Sequence, residues 1–101
     1  MKNVLLAIGL IFCSSAYADF YYCIAAHPTQ RVIYLSPVHF SRRTSIEQED
    51  FFVKILKSYG FEYGAAFCMT DYGGGYIKQD LEKRTTEIQN NGFAIIPITV
   101  Y

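Results

Sequence analysis

Residues 44–61 have almost every feature of an amphipathic helix, and they constrain the fold more than any other part of the chain. Thr44 and Glu47 have the spacing of a capping box, and Gly60 is placed to end the helix in a left-handed conformation. The apolar side chains recur at helical spacing and share one face: Phe52, Ile55, Leu56 and Tyr59. Such a face must be buried against another element, so we expect a layered domain built around this helix.

The first eighteen residues have the organisation of a secretory signal peptide. Lys2 provides a positive start, residues 4–13 are apolar, and Ala16-x-Ala18 is the small-residue pattern that signal peptidase recognises. The apolar run is shorter than the roughly 20 residues that span a bilayer, and bulky Phe12 argues against a lipid anchor on Cys13. We predict cleavage after Ala18, a single domain at 19–101 without membrane insertion, and localisation in the periplasm or outside the cell.

Cleavage leaves two cysteines, Cys23 and Cys68, in a compartment that oxidises thiols. A single disulfide is the expected pairing, and closing a loop of about 46 residues predicts about 4 kcal/mol of stabilisation. A redox or metal-binding pair is disfavoured because the C-x-x-C spacing is absent and no histidine adjoins either cysteine. Losing Lys2 leaves eight basic against nine acidic residues, so nucleic acid is not an expected partner.

The rest of the mature chain is predicted to form strands and a second helix. Strands are expected at 19–26, 31–36, 65–70 and 93–101, and a helix at 76–90. The short turn after the first strand indicates an antiparallel hairpin, and Pro97 indicates a sheet edge or a bulge. The order ββαβαβ predicts an α+β fold, a two-layer α/β sandwich with about four strands and both helices on one face.

The loop at 71–76 is the first candidate for a functional surface. Its glycines allow backbone conformations closed to other residues, and its tyrosines provide contact area for a protein partner. The loop lacks the spacing of a phosphate-binding loop. A flexible strand-to-helix connection is the alternative, which the composition slightly favours. The candidate residues are Asp71, Tyr72, Gly73, Gly74, Gly75 and Tyr76.

His39, Arg42 and Arg43 are the second candidate, a small cationic rim that would pair with carboxylates on a partner. Solvated charges ahead of the helix are the more ordinary interpretation. His27 is separated from His39 by a strand, roughly 30 Å if extended, so the two histidines are not expected to share a metal or a catalytic centre. No metal or other cofactor is expected.

Two functions remain open from the sequence. The small size, the near-zero net charge and the lack of a convergent polar cluster favour an exported, non-enzymatic module that binds another protein, for example as an inhibitor or immunity partner of a secreted enzyme. The alternative is a small exported hydrolase that uses His39 with Asp71 or a serine, although a domain of this size has little room for a pocket. Oligomerisation through the last strand is a further possibility, and the oligomeric state is not determined.

Overall fold

A computed structural model describes residues 19–71 and 75–99, which form five strands and two helices. The α+β class is confirmed. A short strand that the sequence did not predict lies directly before the first helix. The predicted signal peptide lies outside the described residues. In chain order the elements are β1 Asp19–Ala26, β2 Val32–Leu35, β3 His39–Ser41, α1 Ser45–Ser58, β4 Ala65–Asp71, α2 Gly75–Asn90 and β5 Ala94–Pro97.

Strand β1 lies at the centre of the sheet. β4 pairs antiparallel along one side of β1, and the predicted hairpin is confirmed by the antiparallel pairing of β2 on the other side. β3 continues beside the first residues of β1, and β5 joins β2 in parallel. Within the part of the chain that the structure describes, β4 therefore forms one edge of the sheet, and β5 and the short strand β3 form the other.

A β-bulge separates β2 from β3. Leu35 lies opposite Ile24 and His39 lies opposite Tyr21, so two residues of β1 face the three residues 36–38. Ser36 stabilises the bulge, because its Oγ accepts a hydrogen bond of 2.7 Å from a backbone amide of β1. Because of the extra residue, the side chains of β3 alternate between the two faces out of step with those of β2. His39 therefore lies on the same face as Tyr21, under α1.

The two helices pack on opposite faces of the sheet, so the predicted two-layer sandwich with both helices on one face is wrong. Cys23 shares a buried cluster with Phe52 of α1. Tyr22, the preceding residue of β1, points to the other face and shares a cluster with Ile77 of α2. The reason lies in the connections: α1 leads from β3 past β1 to β4, and α2 leads back past β1 and β2 to β5. Right-handed crossovers that run in opposite directions place their helices on opposite faces.

The ends of α1 form as the sequence predicts. Thr44 Oγ1 accepts a hydrogen bond from the Glu47 amide at 3.2 Å, and Glu47 Oε1 accepts one from the Thr44 amide at 3.0 Å. Gly60 has a φ of 72°, and the Phe61 amide donates to the Leu56 carbonyl at 3.0 Å. These are the bonds of a Schellman stop, which requires the left-handed glycine.

The predicted apolar face of α1 is buried only in part. Phe52, Ile55 and Leu56 are buried, but Tyr59 is 53% exposed. Tyr59 is the C-cap residue, beyond the last helical turn, and its ring lies 5.5 Å from that of Phe61. The prediction that Tyr59 belongs to the core is therefore wrong, and its ring adds aromatic surface at this end of the helix.

The predicted disulfide between Cys23 and Cys68 is present. The two residues lie directly opposite each other on β1 and β4, with their Cα atoms 4.0 Å apart. The backbone of Cys23 bonds to Ser36 on the other side of β1, so the cysteines form a non-hydrogen-bonded pair. The disulfide fits an exported protein, and among the described helices none is long and apolar enough to cross a membrane.

Pro97 ends the edge strand β5, which confirms the prediction that this proline marks a sheet edge. The Ala94 amide donates to the carbonyl of Arg31, directly before β2, at 2.9 Å, and the Ile98 amide donates to the Leu35 carbonyl of β2 at 2.8 Å. Alternate residues of a strand direct their backbone groups to opposite sides, so position 97 faces away from β2. The missing N–H of Pro97 therefore removes no bond of the sheet.

Candidate functional site

β4 is the longest of the described edge strands, with seven residues against four in β5 and three in β3. Because the backbone groups of Cys68 make no hydrogen bond to those of Cys23, the backbone groups of Ala66, Cys68 and Thr70 are directed away from β1. The Cys68 amide instead approaches Glu49 Oε1 of α1, at 3.4 Å. The Glu49 carboxylate thus covers the Cys68 amide, and the backbone groups of Ala66 and Thr70 point outward on either side of it.

An open groove of about 450 Å³ lies beside this edge, between β4 and the first half of α2. Met69 and Tyr76, which is 81% exposed, contribute apolar surface to it, and Ile77 lines its base but is buried in the core. The remaining lining residues are polar: Thr70, Gln79, Asp80 and Lys83. The side chains of a strand added at β4 would reach this groove from one face of the enlarged sheet.

A partly buried polar cluster anchors α2 beside the groove. Tyr22 is fully buried, and its hydroxyl donates to Asp80 Oδ2. The Nη2 atom of Arg84 lies 3.9 Å from the same oxygen. Burial, and then the hydrogen bond to Asp80, raises the pKa of Tyr22 to about 12. The phenol therefore stays protonated at neutral pH and continues to hold the first turns of α2 against the sheet.

The described residues of the predicted loop 71–76 lie at the end of β4 and the start of α2. Asp71 is the last residue of β4, Gly75 begins α2, and Tyr76 lines the groove. Tyr72, Gly73 and Gly74 lie outside the described residues. Sequence analysis identified Tyr76 but missed Met69, Thr70 and Ile77, whose only signal in the sequence is their position on either side of the loop.

His39 is half-buried and makes two hydrogen bonds within the domain. Its Nδ1–H donates to the Pro37 carbonyl at 3.0 Å, and its Nε2 accepts from Gln48 Nε2 at 2.8 Å. The Gln48 side chain is fully buried. Burial lowers the pKa of His39 below its ordinary value of 6.5, so the imidazole is neutral at neutral pH.

Arg42 and Arg43 lie on the approach to α1, and Arg42 is exposed. The guanidinium of Arg43 lies over the Phe51 ring, with Cζ 4.1 Å from the centroid. The same arginine lines a hollow of about 280 Å³ together with both acidic and basic residues: Glu47, Asp50 and Lys54. The surface here is of mixed charge, and the role predicted for Arg42 and Arg43 in binding stays a prediction.

One form of the hydrolase hypothesis pairs His39 with Asp71. The register places His39 opposite Tyr21 and Asp71 opposite Phe20, and successive positions of a strand belong to opposite faces. The register therefore gives this pair no support.

His27 accepts hydrogen bonds of 3.0 and 3.1 Å from two amides of its own turn. Across residues 19–71 and 75–99, no group of three or more His, Cys, Asp or Glu is arranged to hold a metal ion.

Stability should fall at acidic pH because the folded protein resists protonation of His39. The unfolded chain takes up this proton as the pH falls through about 6.5, whereas the folded pKa is lower. The contribution of His39 is therefore complete above pH 6.5 and is lost as the pH falls through the folded pKa. Urea denaturation between about pH 7.5 and 5 should show a weaker decline for His39→Gln than for wild type. Equal declines would contradict the prediction.

Comparisons with protein-family models, with curated proteins and with solved structures each return no match. The fold and the site themselves define the class of protein. It is a small disulfide-bonded α+β domain with a helix on each face of its sheet and an open strand edge beside a groove.

Proposed function

We propose that the protein is an exported, non-enzymatic binding module that takes up an extended segment of another protein along the edge of β4. The observation that carries the proposal is the position of a seven-residue edge strand directly beside the α2 groove. An extended segment that joins a sheet edge gains main-chain hydrogen bonds, and pockets for alternate side chains supply specificity. Met69 and Tyr76 offer apolar contacts where those side chains would lie.

The opposite edge of the sheet is less suited to this role. β5 has four residues, and its last residue, Pro97, has no amide to offer a partner. Strand β4 contains neither proline nor lysine, the residues that most often prevent pairing at a sheet edge. The long edge therefore favours β4 as the surface for an added strand.

The signal-peptide pattern at 1–18 and the Cys23–Cys68 disulfide support export to the periplasm or the cell exterior. The disulfide also ties β4 to the central strand β1, which keeps the edge in place without a large core. An inhibitor or immunity partner of a secreted enzyme is one kind of protein that would act through such an edge. The partner is another protein in each case.

Thr70→Pro should reduce binding of the partner at least about tenfold, because it removes an outward amide while leaving the ladder with β1 intact. Thr70→Val is the matched control, since valine has a similar volume and keeps the amide. The measurement uses the exported protein with a photoreactive group in place of Tyr76, and it compares the yield of cross-linked partner in periplasmic extract. Ala66→Pro repeats the test at another outward position if Thr70→Pro does not fold.

Equal cross-linking yields from the folded proline variants and from Thr70→Val would overturn the proposal. Circular dichroism and thermal unfolding of each variant show whether the fold is retained. A loss confined to the proline variants supports main-chain recognition at the β4 edge, because side-chain recognition alone would not distinguish proline from valine there.

A further inference from the structure

We infer that the segment bound at β4 carries a basic side chain opposite Cys68, with an apolar side chain on each side of it. This inference rests on the proposed function and specifies the chemistry of the partner. It is carried by Glu49, the residue whose carboxylate approaches the outward amide of Cys68 at 3.4 Å.

An incoming strand would compete with Glu49 for the Cys68 amide. A main-chain carbonyl of the segment would take the amide proton, and the half-buried carboxylate of Glu49 would lose that contact. Within the described residues Glu49 makes no ion pair. The positions three and four residues away on α1, where a cation would pair with it, hold none: Ser45, Ile46, Phe52 and Val53. A basic side chain of the segment would supply the missing charge.

The register of a β-sheet determines where that side chain must lie. Paired residues on neighbouring strands point to the same face of a sheet. Cys68 belongs to the face covered by α1, so the residue opposite it points toward Glu49. The residues opposite Phe67 and Met69 point to the face covered by α2, where Met69 and Tyr76 contribute apolar surface to the groove. The pattern along the segment is therefore apolar, basic, apolar.

A second copy of the chain fits this edge poorly. Antiparallel pairing of two β4 strands about Cys68 would bring two Glu49 carboxylates together at the symmetry axis, and like charges opposed across strands are destabilising. A charge at a sheet edge is also a common way to prevent self-association. The same residue thus disfavours self-pairing and favours a basic segment from another protein.

The test uses two fluorescein-labelled peptides that differ only at the central position, Thr-Ser-Ile-Lys-Val-Ser-Thr and Thr-Ser-Ile-Glu-Val-Ser-Thr. Fluorescence anisotropy at low ionic strength should show at least about fivefold tighter binding of the lysine peptide to the exported protein. Glu49→Gln should abolish the difference, and Glu49→Lys should reverse it. Asp50→Lys is the matched control, because it makes the same charge change one residue away, in the hollow shared with Arg43.

The inference would be overturned if wild type, Glu49→Gln and Glu49→Lys all showed the same ratio of affinities for the lysine and glutamate peptides. Failure of both peptides to bind would also overturn it. The Thr70 variants test the proposed function separately. If both peptides bind equally and Thr70→Pro abolishes binding, the charge requirement fails and recognition at the β4 edge stands. If neither peptide binds, and Thr70→Pro and Thr70→Val give equal yields of cross-linked partner, then both the charge requirement and recognition at the β4 edge fail.

Discussion

Replacing Cys23 and Cys68 together with alanine should lower the free energy of unfolding by about 4 kcal/mol. The bridge joins residues 45 apart in sequence, so its loss returns a large amount of conformational freedom to the unfolded chain. Small domains typically have only about 5–15 kcal/mol of net stability. The double variant should therefore be close to the limit of folding at physiological temperature.

Urea denaturation of the oxidised wild type, the reduced wild type and the double alanine variant provides the measurement. The reduced wild type and the variant should lose similar amounts of stability, because both lack the same cross-link. A loss below about 1 kcal/mol in both would contradict the prediction, and would indicate that the unfolded chain stays compact without the bridge.

Phe52→Ala should lower the free energy of unfolding by about 3–5 kcal/mol. Phe52 is fully buried between α1 and the sheet, in one cluster with Cys23, Tyr34 and Leu56. Removing the ring loses the free energy gained by burying it. It also leaves a cavity that the surrounding strands cannot close, because the disulfide and the β1 pairings hold them in place.

Ile46→Ala is the matched control for this change. Ile46 lies on the same helix but is 72% exposed, so its truncation should alter stability by less than about 0.5 kcal/mol. Denaturant unfolding of both variants at one pH gives the comparison, and similar losses from the two would contradict the packing of α1. Because Phe52 and Cys23 share a cluster, the loss from Phe52→Ala should not simply add to the loss of the disulfide.

The candidate site was only partly predictable. Tyr76 was identified because a tyrosine beside a run of glycines is typical of binding loops. Thr70, Met69 and Glu49 were missed, because the role proposed for them depends on β4 being an edge strand. That position depends on the direction of two crossover connections, which local patterns do not encode.

The sequence by itself determined the local features of the domain. The capping box at Thr44, the left-handed glycine at Gly60 and the edge proline at Pro97 all depend on neighbouring residues, so their signals are short and specific. The pairing of Cys23 with Cys68 followed because no other cysteine remains after the predicted cleavage.

Only the tertiary structure decided how these elements face one another. The bulge at 36–38 turns His39 under α1, and one extra residue between two strands is not visible in a pattern of apolar positions. The opposite-face packing of the helices likewise depends on the strand order, which is set by contacts between residues distant in sequence. Those contacts leave β4 at an open edge beside α2, and they thereby create the surface on which the proposed function depends.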